Sequence, residues 1–134
     1  MKVNVIGGGW VTAVHWGRMT DGAKPIMAAG DPLIPPVDEI YLNPPVRYRR
    51  FDSYCQIGCA AVALALKDAG MDRAERTQPI GIIASTRYGC FETDLAYYAT
   101  AREEEGIYAS PNLFAFTLPG IAVSEAAIHF RLTG

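Results

Sequence analysis

Ser53-Tyr54-Cys55-Gln56-Ile57-Gly58-Cys59-Ala60-Ala61-Val62-Ala63-Leu64-Ala65-Leu66-Lys67-Asp68-Ala69-Gly70 is the stretch on which the fold turns. Its spacing predicts a helix from Ser53 to Ala69. Ser53 and Gln56 stand three apart, the spacing of a capping box, and Gly70 supplies a C-terminal stop. The interior is dominated by Gly58, Cys59, Ala60, Ala61, Ala63 and Ala65. Such small side chains let neighbouring backbones come close. A helix of this kind is enclosed on most sides, unlike a surface helix with a single apolar stripe. It belongs in the middle of a layered fold.

Working outward, Val3-Asn4-Val5-Ile6 reads as a short buried strand ending at Gly7-Gly8-Gly9. Residues 17–46 form a proline-rich arm carrying Pro25, Pro32, Pro35, Pro36, Pro44 and Pro45, where no long helix or central strand survives. The apolar residues of this arm (Ile26, Met27, Leu33, Ile34, Ile40, Tyr41 and Leu42) call for a surface to lie on. Pro79 to Thr86 reads as a second buried strand, followed by a turn at Arg87-Tyr88-Gly89-Cys90. A second helix is expected from near Thr93 or Asp94 to before Gly106. Its last turn holds Glu103, Glu104 and Glu105, which oppose the helix dipole and predict fraying or a basic partner. A loop over 107–118 precedes a third helix from about Pro119 to Arg131, with Gly134 as its stop. The order of elements is α/β. Two parallel strands leave both sheet edges open, so the architecture reads as unfinished at Gly134.

The 134 residues suit one domain. Half are hydrophobic and 19% charged, with a net charge of −2, a globular balance that excludes a disordered chain. No basic run is long enough for nucleic acid. The cluster Arg47-Tyr48-Arg49-Arg50 reads as solvated or ion-paired surface, with an anion-contacting patch as the alternative. The longest apolar run, Cys59 to Leu66, is far short of the ~20 residues that span a bilayer. With no signal peptide and an odd count of three cysteines, the expectation is a cytoplasmic chain with reduced thiols.

The glycines after the first strand lack a dinucleotide fingerprint. Thr12 stands where the third small residue belongs, and Trp10 follows the glycines directly. They read as a tight turn. Cys55 and Cys59 share a helix face but lack the further ligands zinc needs, so they read as small buried apolar groups. Cys90 lies in a turn, and neither His15 nor His129 is set beside it by local sequence. Glu92, Asp94 and Glu125 read as caps or helix-surface charges. No metal site, cofactor motif or catalytic constellation emerges from spacing alone.

Four matches in order make Phe51–Gly134 resemble the β-ketoacyl synthase family. Arg50-Phe51-Asp52-Ser53-Tyr54-Cys55-Gln56, leading through the alanine-rich helix to Lys67-Asp68-Ala69-Gly70-Met71, is similar to the family's "DRF…Q-L-A-L-A-A…A-L-x-D-A-G-L". Ile80-Gly81-Ile82-Ile83-Ala84-Ser85-Thr86, then Gly89 and Glu92-Thr93-Asp94, resembles "R-I-G-V-V-x-G-T-x-x-G-G-x-x-T". Ser110-Pro111-Asn112-Leu113-Phe114, then Thr117-Leu118-Pro119, resembles "S-P-x-x-F-x-N-T-L-P-N". Ser124-Glu125-Ala126-Ala127-Ile128-His129-Phe130-Arg131-Leu132-Thr133-Gly134 resembles "G-x-x-A-I-x-F-x-L-x-G". Ile6 to Thr12 is similar to the family's opening "I-T-G-x-G-V-V-T-P".

The resemblance implies an incomplete thiolase-like (ketosynthase N-terminal) layered sheet with flanking helices, residues 1–134 forming a single partial domain. The family condenses acyl groups with a cysteine and two histidines that lie beyond the matched stretch. Cys55, Cys59 and Cys90 do not match that nucleophile. The implied role is a ketosynthase-like scaffold, subunit or part of a condensing enzyme in fatty-acid or polyketide synthesis, inactive alone. Its expected partners are a complementary ketosynthase segment or subunit and acyl carrier protein, in a homo- or hetero-oligomer. The resemblance places Phe114, Phe116, Thr117, Leu118 and Ile121 near an acyl tunnel or partner face. Phe116, Gly120 and Ser124 replace family Asn, Asn and Gly, which fits a divergent or non-condensing subunit. Two other readings remain open: an interaction protein that docks on a true synthase, and an unrelated small α/β enzyme using Cys90.

Overall fold

The computed structural model describes residues 1–73 and 75–134. Two short strands, β1 (Gly9–Val11) and β2 (Trp16–Arg18), pair antiparallel with Gly9 opposite Arg18 and Val11 opposite Trp16. Thr12 closes the hairpin, its hydroxyl donating to the His15 carbonyl at 2.7 Å and accepting from the His15 amide at 3.1 Å. Five helices follow: α1 (Val37–Ile40), α2 (Ser53–Asp68), α3 (Phe91–Arg102), α4 (Pro111–Phe114) and α5 (Ile121–Phe130). The result is a small mixed α/β domain.

Helix α2 runs through its centre, with α5 against one side and β1 against another. The small residues make this possible. A Cβ added at Gly58 would stand 2.7 Å from the Ala122 Cβ on α5, and one at Gly9 would stand 2.5 Å from the Ala65 amide nitrogen. Cys55, Cys59, Ala60, Ala63 and Leu64 are sealed from solvent, joined by Ile40, Tyr41, Phe51, Phe116, Ala126 and Phe130. Gly70 at φ +67° ends α2, and the Met71 amide donates back to the Leu66 carbonyl at 2.8 Å. Asp68 in the last turn of α2 accepts from the Gly8 amide at 2.9 Å and the Thr20 amide at 3.0 Å, fastening the N-terminal segment along the helix.

The cap of α2 lies one residue earlier than the sequence pattern suggests. Asp52 is the N-cap, accepting from the Cys55 amide at 2.9 Å. The Gln56 side chain instead donates to the Phe51 carbonyl at 3.1 Å. The arm over 17–46 is held at its start by β2 and Thr20, in its middle by the Leu33 amide donating to the Thr12 carbonyl at 2.8 Å, and at its end, where Ile40 and Tyr41 are core residues and the Lys67 ammonium donates to the Glu39 carbonyl at 2.9 Å. Ile26, Met27, Leu33 and Leu42 remain exposed.

Both expected strands require correction. Val3, Val5 and Ile6 are exposed, and pairing begins only at Gly9. Pro79 to Thr86 forms no strand and is mostly exposed, with Ile83 fully so. A strand needs backbone partners from elsewhere in the chain, and among the described residues they come only from those after α5. The Gln78 amide donates to the Arg131 carbonyl at 2.9 Å, the Thr133 amide to the Gln78 carbonyl at 2.9 Å, and the Gly134 amide to the Ile80 carbonyl at 3.1 Å. The pairing is parallel, registered as a bridge between Gln78 and Leu132. Gly134 therefore lies beside Ile80, and the stop of α5 is Arg131, in the left-handed region at φ 54°. Helix α3 begins at Phe91, ahead of the expected start. After Arg102 the backbone leaves α geometry, with φ of 40° at Glu104 and 57° at Glu105, so the acidic run marks the break in the helix.

Candidate functional site: two clefts beside helix α2

Two clefts flank the N-terminal end of α2. The first, of about 670 Å³, lies where the N-termini of α2 and α3 meet the arm and α4. Ile34, Phe51, Ile57, Ala96 and Leu113 supply apolar wall, with Asp52, Glu92, Thr93, Tyr54 and Cys90 among the lining. Asp52 joins the two helices. Its Oδ1 caps α2, and its Oδ2 accepts from the Thr93 hydroxyl.

Cys90 belongs to this cleft but is not poised as a nucleophile. Its side chain is buried, with Sγ 3.5 Å and 3.7 Å from the Asp94 carboxylate oxygens. Burial, then the hydrogen bond to Asp94 and its negative charge, push the thiol pKa up. An activated thiolate needs the opposite environment. Both histidines are engaged elsewhere. The Trp10 indole donates to His15 Nε2 at 3.2 Å, and His129 packs edge-on against Tyr41 with ring centroids 4.8 Å apart. Burial pushes the His129 pKa down. This geometry speaks against an enzyme built on Cys90.

Cys55 and Cys59 lie in the core with their sulfurs 3.9 Å apart. Cys59 also donates to the Ala122 carbonyl at 3.4 Å. The hydrogen bond to Cys59, followed by burial, holds Cys55 firmly protonated. The buried Tyr41 hydroxyl has no hydrogen-bond partner among the described residues. No group of three or more His, Cys, Asp or Glu able to hold a metal ion occurs among the described residues.

The second cleft, of about 580 Å³, opens between the Arg47–Arg50 turn, α4 and the start of α5. Arg47 reaches Glu125 Oε1 at 2.6 Å across 78 positions of sequence. The Arg47 side chain is 63% exposed and that of Glu125 only 10%, so the pair runs from the surface inward. Glu125 was expected on the helix surface and is buried instead. An acidic residue among Ala122, Ala126 and Ala127 was the available signal, since an uncompensated carboxylate on an apolar face calls for a cation.

The five residues singled out from the sequence divide between two environments. Phe116 is buried edge-on against Phe51, with centroids 5.9 Å apart, and it lines the second cleft together with the half-buried Ile121. Phe114 is exposed and tilts against Tyr97 at 5.4 Å. Thr117 turns its hydroxyl to the Phe114 carbonyl at 2.8 Å, and Leu118 is exposed. Phe114, Thr117 and Leu118 lie outside the lining of both clefts. Of the residues that give the second cleft its charge, Arg47 and Arg50 belong to the basic cluster whose alternative reading was an anion-contacting patch, and Glu125 was missed as a site residue. No helix among the described residues is long and apolar enough to cross a membrane. No protein-family model, curated protein or solved structure matches this chain.

Proposed function

We propose that the chain is a ketosynthase-like scaffold or subunit of a condensing enzyme, catalytically silent alone and completed by strands and a reactive thiol from other polypeptide. The resemblance in the order of its segments supports that reading. One geometric observation supports the incompleteness. Residues 79–86 form neither helix nor strand and Ile83 is fully exposed, while 132–134 make parallel backbone hydrogen bonds that run only as far as Ile80. A row of unpaired backbone donors and acceptors bearing β-branched side chains is a template for a further strand. The sealed thiols fit a chain that does not itself carry acyl groups.

A condensation assay with acyl and malonyl carrier proteins tests the silent state. The isolated chain is expected to give no product above blank, and measurable turnover would overturn the proposal. Hydrogen exchange on the chain mixed with a ketosynthase C-terminal segment tests completion. Protection of the 81–86 amides is expected, and unchanged exchange at saturating segment counts against it.

A further inference from the structure

We infer that the cleft between the Arg47–Arg50 turn and α5 is a binding site for a small organic monocarboxylate bearing a compact apolar group. The inference stands apart from the ketosynthase-like reading and rests on the charge and shape of this cleft alone. Its size, about 580 Å³, lies within the range of small-molecule sites. Two arginines and one carboxylate line it. Arg47 is committed to Glu125 at 2.6 Å, which neutralises the buried carboxylate. Arg50 lines the same cleft and pairs with no carboxylate among the described residues. The lining therefore keeps one uncompensated positive charge, on the side chain whose planar fork best fits a carboxylate.

The rest of the lining is largely apolar. Phe116 presents an aromatic side chain fixed by its contact with Phe51, and Ile121 stands beside it at the first turn of α5. Asn112 adds an amide to the rim. A ligand with a carboxylate at one end and a ring or branched alkyl group at the other meets Arg50 and the Phe116–Ile121 wall together. A cation would meet the unpaired guanidinium, and a neutral apolar molecule would leave that charge unused.

Three isosteric probes separate these cases: phenylacetate, 2-phenylethanol and 2-phenylethylamine, each titrated into the full chain and followed by backbone amide chemical shifts. Phenylacetate is expected to shift the amides of Asn112, Phe116 and Ile121 saturably, with the alcohol at least about tenfold weaker and the amine weaker still. Arg50→Met keeps most of the exposed stem and removes the charge. It is expected to weaken phenylacetate about tenfold and to leave the alcohol unchanged. Equal affinity for acid and alcohol, an unchanged acid affinity in the variant, or no saturable shift at these amides would each overturn the assignment.

Discussion

The Thr93 hydroxyl, in the first turn of α3, donates to Oδ2 of Asp52, whose Oδ1 caps α2 by accepting from the Cys55 amide at 2.9 Å. One carboxylate thus fixes the N-termini of two helices that are far apart in sequence. It also sets the floor of the larger cleft. The cap belongs to local sequence, and the second bond exists only because the turn at residues 87–90 brings α3 back.

Asp52→Ala is therefore expected to cost more than an ordinary cap. Loss of the cap alone is about 1 kcal/mol, and leaving the buried Thr93 hydroxyl unpartnered adds about 1 kcal/mol or more. Thr93→Val removes only the second interaction and should cost less. Urea denaturation of both single variants and the double variant measures the coupling, which is expected to be positive. Strict additivity would mean that the two helices are not held through this carboxylate.

Gly58→Val tests the close approach of α2 and α5. Even a Cβ at Gly58 meets the Ala122 Cβ at 2.7 Å, and a methyl on the helix backbone cannot swing aside. Overpacking of this kind costs about 1–3 kcal/mol, and the branched residue belongs at the upper end. Gly22, with nothing within 4 Å of an added Cβ but a φ of +74°, is the useful contrast. Gly22→Ala suffers backbone strain without a clash, and its melting curve should shift less than that of Gly58→Val.

The legible and illegible parts of the chain divide along a physical line. Helix α2 was readable because its determinants are local: small residues in series, a polar cap and Gly70 as its stop. Its length came within one residue of the observed Ser53–Asp68. The strands were misread because apolar alternation records only a capacity to pair. Val3-Asn4-Val5-Ile6 and Pro79–Thr86 have that composition, yet the first is exposed and the second is bridged only at its beginning. The hairpin of Trp10 and Gly17 went unseen for the converse reason. Glycine and tryptophan do not resemble a strand, and Gly17 is required because a Cβ there would stand 2.9 Å from the Trp10 ring. At the candidate site, Phe116 and Ile121 were singled out only through the family resemblance. The Arg47–Glu125 pair was not legible, since its partners lie 78 residues apart.

Thiol chemistry gives a pH prediction with a definite sign. Cys90 is pushed up by burial and Asp94, and Cys55 by its bond to Cys59 and by burial. At neutral pH both stay protonated in the folded chain, so iodoacetamide should label the native protein far more slowly than the urea-unfolded one. A thiol held protonated stabilises the fold fully below the unfolded pKa of about 8.5, and the contribution is lost as pH rises toward the folded value. The Cys90 contribution is therefore expected to be lost above about pH 8.5, and Cys90→Ser should remove that part of the pH dependence. Rapid native labelling of Cys90 at pH 7 would contradict the observed environment.

The open flank of residues 81–86 yields the last prediction. The Gly134 amide reaches the Ile80 carbonyl at 3.1 Å, and beyond Ile80 no backbone hydrogen bond is made to 132–134. Amides at 82–85 should therefore exchange with solvent orders of magnitude faster than those of 59–66, which lie inside α2 with most side chains buried. Ile83 is fully exposed, so Ile83→Lys removes no packing and should leave the melting temperature within about 2 °C of the parent. The same change places a charge on a pairing edge, where it opposes strand addition. Any self-association seen in sedimentation at micromolar concentration should therefore drop in the variant. Association that survives Ile83→Lys unchanged would locate the contact elsewhere, and slow exchange at 82–85 in the monomer would mean that this edge is already paired.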